Sequence, residues 1–112
     1  MSRRRKPLRI EDDAAQELRA AIEWYESRLP GLGLRFLHAV ETTLGHIEAF
    51  PRSGAPIPRV AHLPVRSFPV RKFPFHVVCL DTGDTLWVLA FAHDRRRPNY
   101  WRRRISVDFP KV

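Results

Sequence analysis

The sequence predicts an α+β domain, with a helical hairpin packed on a mainly antiparallel sheet in the order β-α-α-β-β-β and a short C-terminal helix. Three observations carry this. Apolar residues recur at helical spacing across residues 12–49. Runs rich in Val, Phe and Leu follow at residues 65–70, 75–80 and 85–93. A proline-rich stretch lies between the two regions, so the helices precede the run of strands.

Residues 7–11 form the first strand candidate, with Leu8 and Ile10 alternating against Arg9. Asp12 and Asp13 end it and open a helix. Asp13 with Gln16 fits a capping box, and Glu17 adds negative charge to the first turn. Ala14, Leu18, Ala21, Ile22, Tyr25 and Leu29 make its apolar stripe, with Gln16, Arg19, Glu23 and Glu26 opposite. Pro30, Gly31 and Gly33 break the helix and permit a tight reversal. A second helix runs to about Ala49, with Phe36, Leu37, Val40, Leu44 and Ile47 on its apolar side. Residues 50–64 hold Pro51, Pro56, Pro58 and Pro64 and read as a stiff surface loop.

The strand at 65–70 contains Pro69 and therefore belongs near an edge. Residues 75–80 and 85–93 are apolar on both faces, and the latter is placed centrally. Residues 81–84 make the hairpin turn between them. Residues 94–97 are a basic turn, and Pro98 suits the start of a closing helix over 99–104. Leu18, Ile22, Phe36, Val40, Leu44, Val77, Val88 and Leu89 are expected where the helices meet the sheet. Residues 1–6 form a basic arm, and residues 7–112 form the single domain.

The chain carries 20 Lys and Arg against 12 Asp and Glu, a net charge of +8. Residues 1–50 net zero, so residues 51–112 carry the whole excess. A one-sided basic half predicts a polyanionic partner, nucleic acid or an acidic protein. No apolar run approaches the roughly 20 residues of a membrane span, and no apolar stretch follows the basic start as in a signal peptide. The expectation is therefore a cytoplasmic protein without a membrane partner. A single cysteine, Cys79, excludes an internal disulfide and reads as an inert buried thiol. The basic half has no paired carboxylates at motif-like spacing, and the chain has no glycine-rich phosphate loop or nucleophile elbow, so no metal and no cofactor are expected.

The residues left for chemistry are Arg66, His76, His93, Arg95 and Tyr100. A metal-free ribonuclease would need such groups as base, acid and phosphate-stabilising cations. The bland alternative is also available: His76 on a sheet face, Tyr100 and Trp101 packing the last helix, and the arginine run as a solvated or partner-binding patch. Arg95, Arg96, Arg97 and Arg102 are the candidate binding residues.

Several segments resemble one family. Residues 21–26 (Ala-Ile-Glu-Trp-Tyr-Glu), 30–33 (Pro-Gly-Leu-Gly) and Phe36-Leu37 resemble the helical hairpin of the RelE/ParE toxin superfamily. Val65-Arg66, Phe73-Pro74-Phe75 and residues 88–93 resemble its sheet, and residues 94–102 its C-terminal signature. The Trp-Tyr-Glu and Phe-Pro-Phe pieces place the chain nearer the ParE-like branch. The resemblance implies a growth-inhibiting toxin of a type II toxin–antitoxin (plasmid stabilisation) system, held inactive by a cognate antitoxin protein. It implies DNA gyrase as target for a ParE-like member and ribosome-dependent mRNA cleavage for a RelE-like one. Arg66, Arg95 and Tyr100 stand at positions resembling the RelE-like active groups, His76 replaces an arginine, and Phe68 stands where a catalytic lysine is expected. A non-toxic basic binding module is the further alternative.

Overall fold

The computed structural model describes residues 5–105. Its elements are β1 (Leu8–Ile10), α1 (Asp12–Arg28), α2 (Leu32–Ala49), β2 (Ala55–Pro56), β3 (Val65–Pro69), β4 (Phe75–Asp81) and β5 (Leu86–His93), closed by a 3-10 turn (Arg102–Arg104). The five strands form one sheet in the order β1-β5-β4-β3-β2. β1 runs parallel to β5, and every other pairing is antiparallel. β5 is therefore central, as its two apolar faces require. β3 lies one place in from the edge, because the proline-rich loop supplies a two-residue strand outside it. That pairing was not legible in a segment read as loop.

Glu11 caps α1: its carboxylate accepts the backbone N–H groups of Asp13 and Ala14. The capping box expected at Asp13 is not used, because β1 hands the chain to the helix one turn-position earlier. The reversal between the helices is held by Glu26, which accepts the N–H groups of Gly31 and Gly33. Gly31 adopts φ 90° there, and a Cβ at Gly33 would stand 2.7 Å from the Ile22 carbonyl oxygen. Glycine at these two sites lets the chain turn and the helices approach.

One side of the sheet packs on the helices through Phe68, Val77, Cys79, Leu86, Val88 and Phe91, against Ala14, Tyr25, Phe36, Val40 and Ile47. Tyr25, Phe36, Phe73 and Phe75 make an aromatic knot with ring centroids 5.0–6.1 Å apart. The other side is covered by Val60, Leu63 and Trp101, which pack on Val65, Val78, Leu80, Leu89 and Ala90. Leu89 is thus buried on the face away from the helices, contrary to its expected place. Val88 faces the helices, so plain alternation turns Leu89 away; a bulge then pairs Cys79 with Val88 and Val78 with Ala90, which keeps Ala90 on the far face and returns Phe91 to the helices. Leu18, Ile22 and Leu44 are only partly buried, and Leu29 is half-exposed beyond the end of its helix. The closing helix expected over 99–104 is a turn, with Asn99 at φ 62° and one 3-10 segment after it.

Leu89→Ala should cost about 2–5 kcal/mol, as for a fully buried leucine, and Leu44→Ala less than about 2 kcal/mol. Thermal or urea unfolding of the two variants measures the difference. Equal losses would contradict the difference in burial between the two leucines.

Candidate functional site: a buried anchor, an apolar groove and an arginine turn

β1 ends at Ile10, yet β5 continues to His93. The β1-facing edge of β5 therefore needs partners other than a strand beyond Val88. Glu17 and Arg104 supply them. The Phe91 N–H donates to Glu17 Oε1 (3.1 Å), and Arg104 Nη1 donates to the Leu89 carbonyl oxygen (2.9 Å). Arg104 also grips both Glu17 oxygens, at 2.9 and 3.1 Å. The Tyr100 hydroxyl donates to Glu17 Oε2 at 2.6 Å. Glu17 thus accepts four hydrogen bonds from three parts of the chain. Its side chain is 17% exposed and that of Arg104 is 9% exposed.

The anchor fixes Tyr100. Arg96 lies over the Tyr100 ring at 3.9 Å from its centroid, and Arg104 lies 5.2 Å from it. Burial and the hydrogen bond to Glu17 push the phenol well above its ordinary range, outweighing the opposing pull of Arg104 and Arg96. Tyr100 is accordingly held neutral. The neighbouring arginines therefore do not activate it as a base.

The other candidates are dispersed. Arg66 donates to the Gly54 carbonyl oxygen at 2.8 Å and lines a 290 Å³ pocket with Lys6, Arg52, Cys79 and Asp81. It is opposite Cys79, whereas His93 is opposite Phe75, four positions along β4. That separation is about 13 Å along the strand. His76 alternates onto the face away from the helices, with Nδ1 3.0 Å from an Asp94 carboxylate oxygen. His93 packs its ring on Phe75 at 5.1 Å, and its Nδ1 accepts the Arg95 N–H. His93 and Tyr100 share one site; Arg66 and His76 are outside it. Phe68 is buried over Gly54, where a Cβ would meet its ring at 2.6 Å. Among the described residues, no three His, Cys, Asp or Glu side chains gather to hold a metal ion.

The site His93 and Tyr100 share is a groove of 630 Å³ between α1 and the end of β5. Ala20, Ala21, Trp24, Tyr25, Phe75 and Phe91 give it an apolar lining, and Arg96 stands at its margin. Trp24 is 52% exposed. Beyond it, the turn from Asp94 presents Arg95, Arg96 and Arg97, and the 3-10 turn presents Arg102 and Arg103. Sequence reasoning assigned no site role to Trp24 or Glu17. A signal was present: Glu17 is three residues after Ala14 and four before Ala21, so an acidic side chain lies on the buried stripe and demands a partner.

The family model for the ParE toxin of type II toxin–antitoxin systems matches residues 8–98. The chain belongs to the ParE toxin family. A solved structure of the chromosomal ParDE toxin–antitoxin system from P. aeruginosa has the same fold, with a TM-score of 0.67 and 19% identity, over 79% of this chain and 95% of that one. No curated protein matches the sequence. The family match stops at Pro98, before Tyr100 and Arg104. No helix among the described residues of this ParE-family chain is long and apolar enough to cross a membrane.

Glu17→Ala should destabilise the fold by about 3–5 kcal/mol, because it leaves Arg104 buried without its counter-ion. Urea denaturation measures this, and Arg104→Met in the same background should recover part of the loss.

Both tyrosines should ionise above the usual range near 10, since burial also raises Tyr25. A phenol raised on folding keeps its proton longer in the folded state. Its stabilising contribution is complete below the unfolded pKa near 10 and falls as pH rises towards the folded value. Ultraviolet absorbance titration should find neither tyrosine titrating normally, and Tyr100→Phe should flatten the alkaline loss of stability. Cys79, pushed up to about 12 by burial and then by Asp81, should resist thiol reagents at pH 8 until the chain unfolds.

Proposed function

We propose that this ParE-family chain is the toxin of a type II toxin–antitoxin pair and that it arrests growth in the cytoplasm by binding DNA gyrase, without cutting RNA. The observation that carries the choice is the use of Tyr100. Its hydroxyl is spent inside the fold on Glu17, and burial favours the protonated phenol. The dispersal of Arg66 and His76 away from His93 weighs in the same direction, because acid, base and phosphate-stabilising cations must converge within hydrogen-bond reach of one bond. The ParE-like character of the sequence supports gyrase over the ribosome as target.

The apolar groove beside Trp24 suits the antitoxin. A segment that folds on binding needs apolar surface to offset its ordering entropy, and acidic flanks would meet the arginines at the margin. The exposed indole, stacked edge-on to Tyr25 at 5.2 Å and covered by Arg28 at 4.5 Å, has the make-up of a binding hot spot.

Induced expression without the neighbouring gene tests the target. The expected result is growth arrest with altered plasmid supercoiling and intact mRNA on ribosomes. Codon-linked cleavage by the unmutated chain would overturn the reading. Trp24→Ala should weaken antitoxin binding by about 2 kcal/mol or more, as read by titration calorimetry, with the melting temperature retained. The antitoxin association rate should fall as salt rises.

A further inference from the structure

The basic half of the chain has a further concavity beside the groove, with which it shares Arg96 and Tyr100. It measures about 490 Å³ and is lined by Arg96, Arg97, Arg102 and Arg103, with Asn99 and Tyr100. No carboxylate among the described residues pairs with any of these four arginines; the ion pairs formed are Lys6–Asp81, His76–Asp94 and those of Arg104. Asp94, the acid nearest Arg96 and Arg97 in sequence, is engaged by His76; Asp108, nearer to Arg102 and Arg103, lies outside the described residues.

The arginines are carried on a fixed backbone. The N–H of Tyr100 donates to the Arg97 carbonyl, that of Arg102 to Asn99 and that of Arg104 to Trp101. Asn99 takes φ 62°. Trp101 is buried in the second core at 2% exposure, and the Tyr100 hydroxyl is tied to Glu17. Four exposed guanidinium groups thus line one cavity with no carboxylate partner among the described residues. The hydrogen-bonded backbone that carries them gives up little entropy on meeting a ligand.

We propose that this arginine pocket binds the phosphodiester backbone of a nucleic acid, as a site beside the apolar groove. Three features favour that ligand over an acidic protein segment. The cations are all arginine, whose planar fork grips phosphate oxygens in pairs. A peptide that folds on binding requires apolar surface, and the pocket offers only the wall of Tyr100 and Pro98. A nucleic-acid strand presents regularly spaced unit charges, which satisfy several adjacent cations at once without burying anything. The contacts are to backbone, so the site carries no sequence preference. The inference does not depend on which target the toxin inhibits.

Fluorescence anisotropy with the full chain tests it, using labelled duplex DNA and single-stranded RNA of about 20 nucleotides per strand, and polyglutamate of similar length. On duplex DNA the unmutated chain should lose affinity with salt at a log–log slope of about 3–4, near 0.9 per phosphate contact. The triple variant Arg97→Gln/Arg102→Gln/Arg103→Gln should lower that slope by about 2.7 and weaken binding at least tenfold, by loss of three contacts. Arg19→Gln/Arg35→Gln/Arg71→Gln removes the same charge from exposed sites elsewhere and should change the slope by less than about 1. Preference for DNA or for RNA identifies which backbone the pocket serves. An equal loss in both triple variants would reduce the effect to net charge and overturn the proposal. Tighter binding of polyglutamate than of either nucleic acid would also overturn it, in favour of an acidic protein. Should the first triple variant not fold, Arg103→Gln alone should lower the slope by about 0.9, and an unchanged slope would count against the site.

Discussion

A buried carboxylate, Glu17, joins the three parts of this fold that would otherwise be independent. It lies on α1, accepts a backbone N–H of β5 and receives both prongs of Arg104 from the closing turn. A charge taken from water at this depth is costly unless its lone pairs are filled. Here four donors fill them. The arrangement also solves a problem of the sheet. β1 is three residues long and β5 eight, so the central strand outruns its neighbour. Glu17 and Arg104 take up one N–H, that of Phe91, and one C=O, that of Leu89, which a longer β1 would have covered, so less of that edge is open to pair with another chain.

The bulge at Leu89 follows from the same junction. One inserted residue exchanges the two faces of β5, so Leu86, Val88 and Phe91 meet the helices while Leu89 and Ala90 meet Trp101. Without that exchange, strict alternation from Val88 would turn Ala90 towards the helices and Phe91 away from them. Phe91 would then be lost from the groove that it lines with Trp24 and Tyr25. The Leu89 carbonyl made available at the bulge is the one that Arg104 binds. Sheet irregularity, buried ion pair and groove are therefore one construction.

Much of the fold was legible because it rests on periodicity. The helical spacing of Phe36, Val40 and Ile47 and the breaking residues Gly31 and Gly33 give the hairpin, and the two-faced apolarity of residues 86–92 gives a central strand. What could not be read depends on pairings between distant residues. The two-residue β2 has no pattern of its own and exists through its register with Arg66 and Ser67. Leu89 was assigned to the same face as its neighbour Val88, which alternation forbids, and the bulge that keeps Ala90 beside Leu89 leaves no compositional mark. In the candidate site, the arginine turn and Tyr100 were visible as residues. The role of Tyr100 was not, because its partner is 83 positions away. Arg96 beside it in sequence pulls its pKa down, but burial and the distant Glu17 outweigh that and raise it.

The charge asymmetry of the chain acquires a physical meaning from this junction. Six arginines lie between residues 95 and 104, and gathered on one turn they repel one another. A single anion cannot neutralise six cations, and Glu17 does not. It binds one, Arg104, and uses it to hold the turn against the domain, while the others remain at the surface without a carboxylate partner among the described residues. The placement is selective because the fork of Arg104 spans both carboxylate oxygens and also reaches the Leu89 carbonyl, which a lysine's point charge could not do in the same geometry. An external anion would relieve the electrostatic cost of crowding the remaining arginines. The fold thus keeps its structural cation inside and its binding cations outside, divided by the ring of Tyr100.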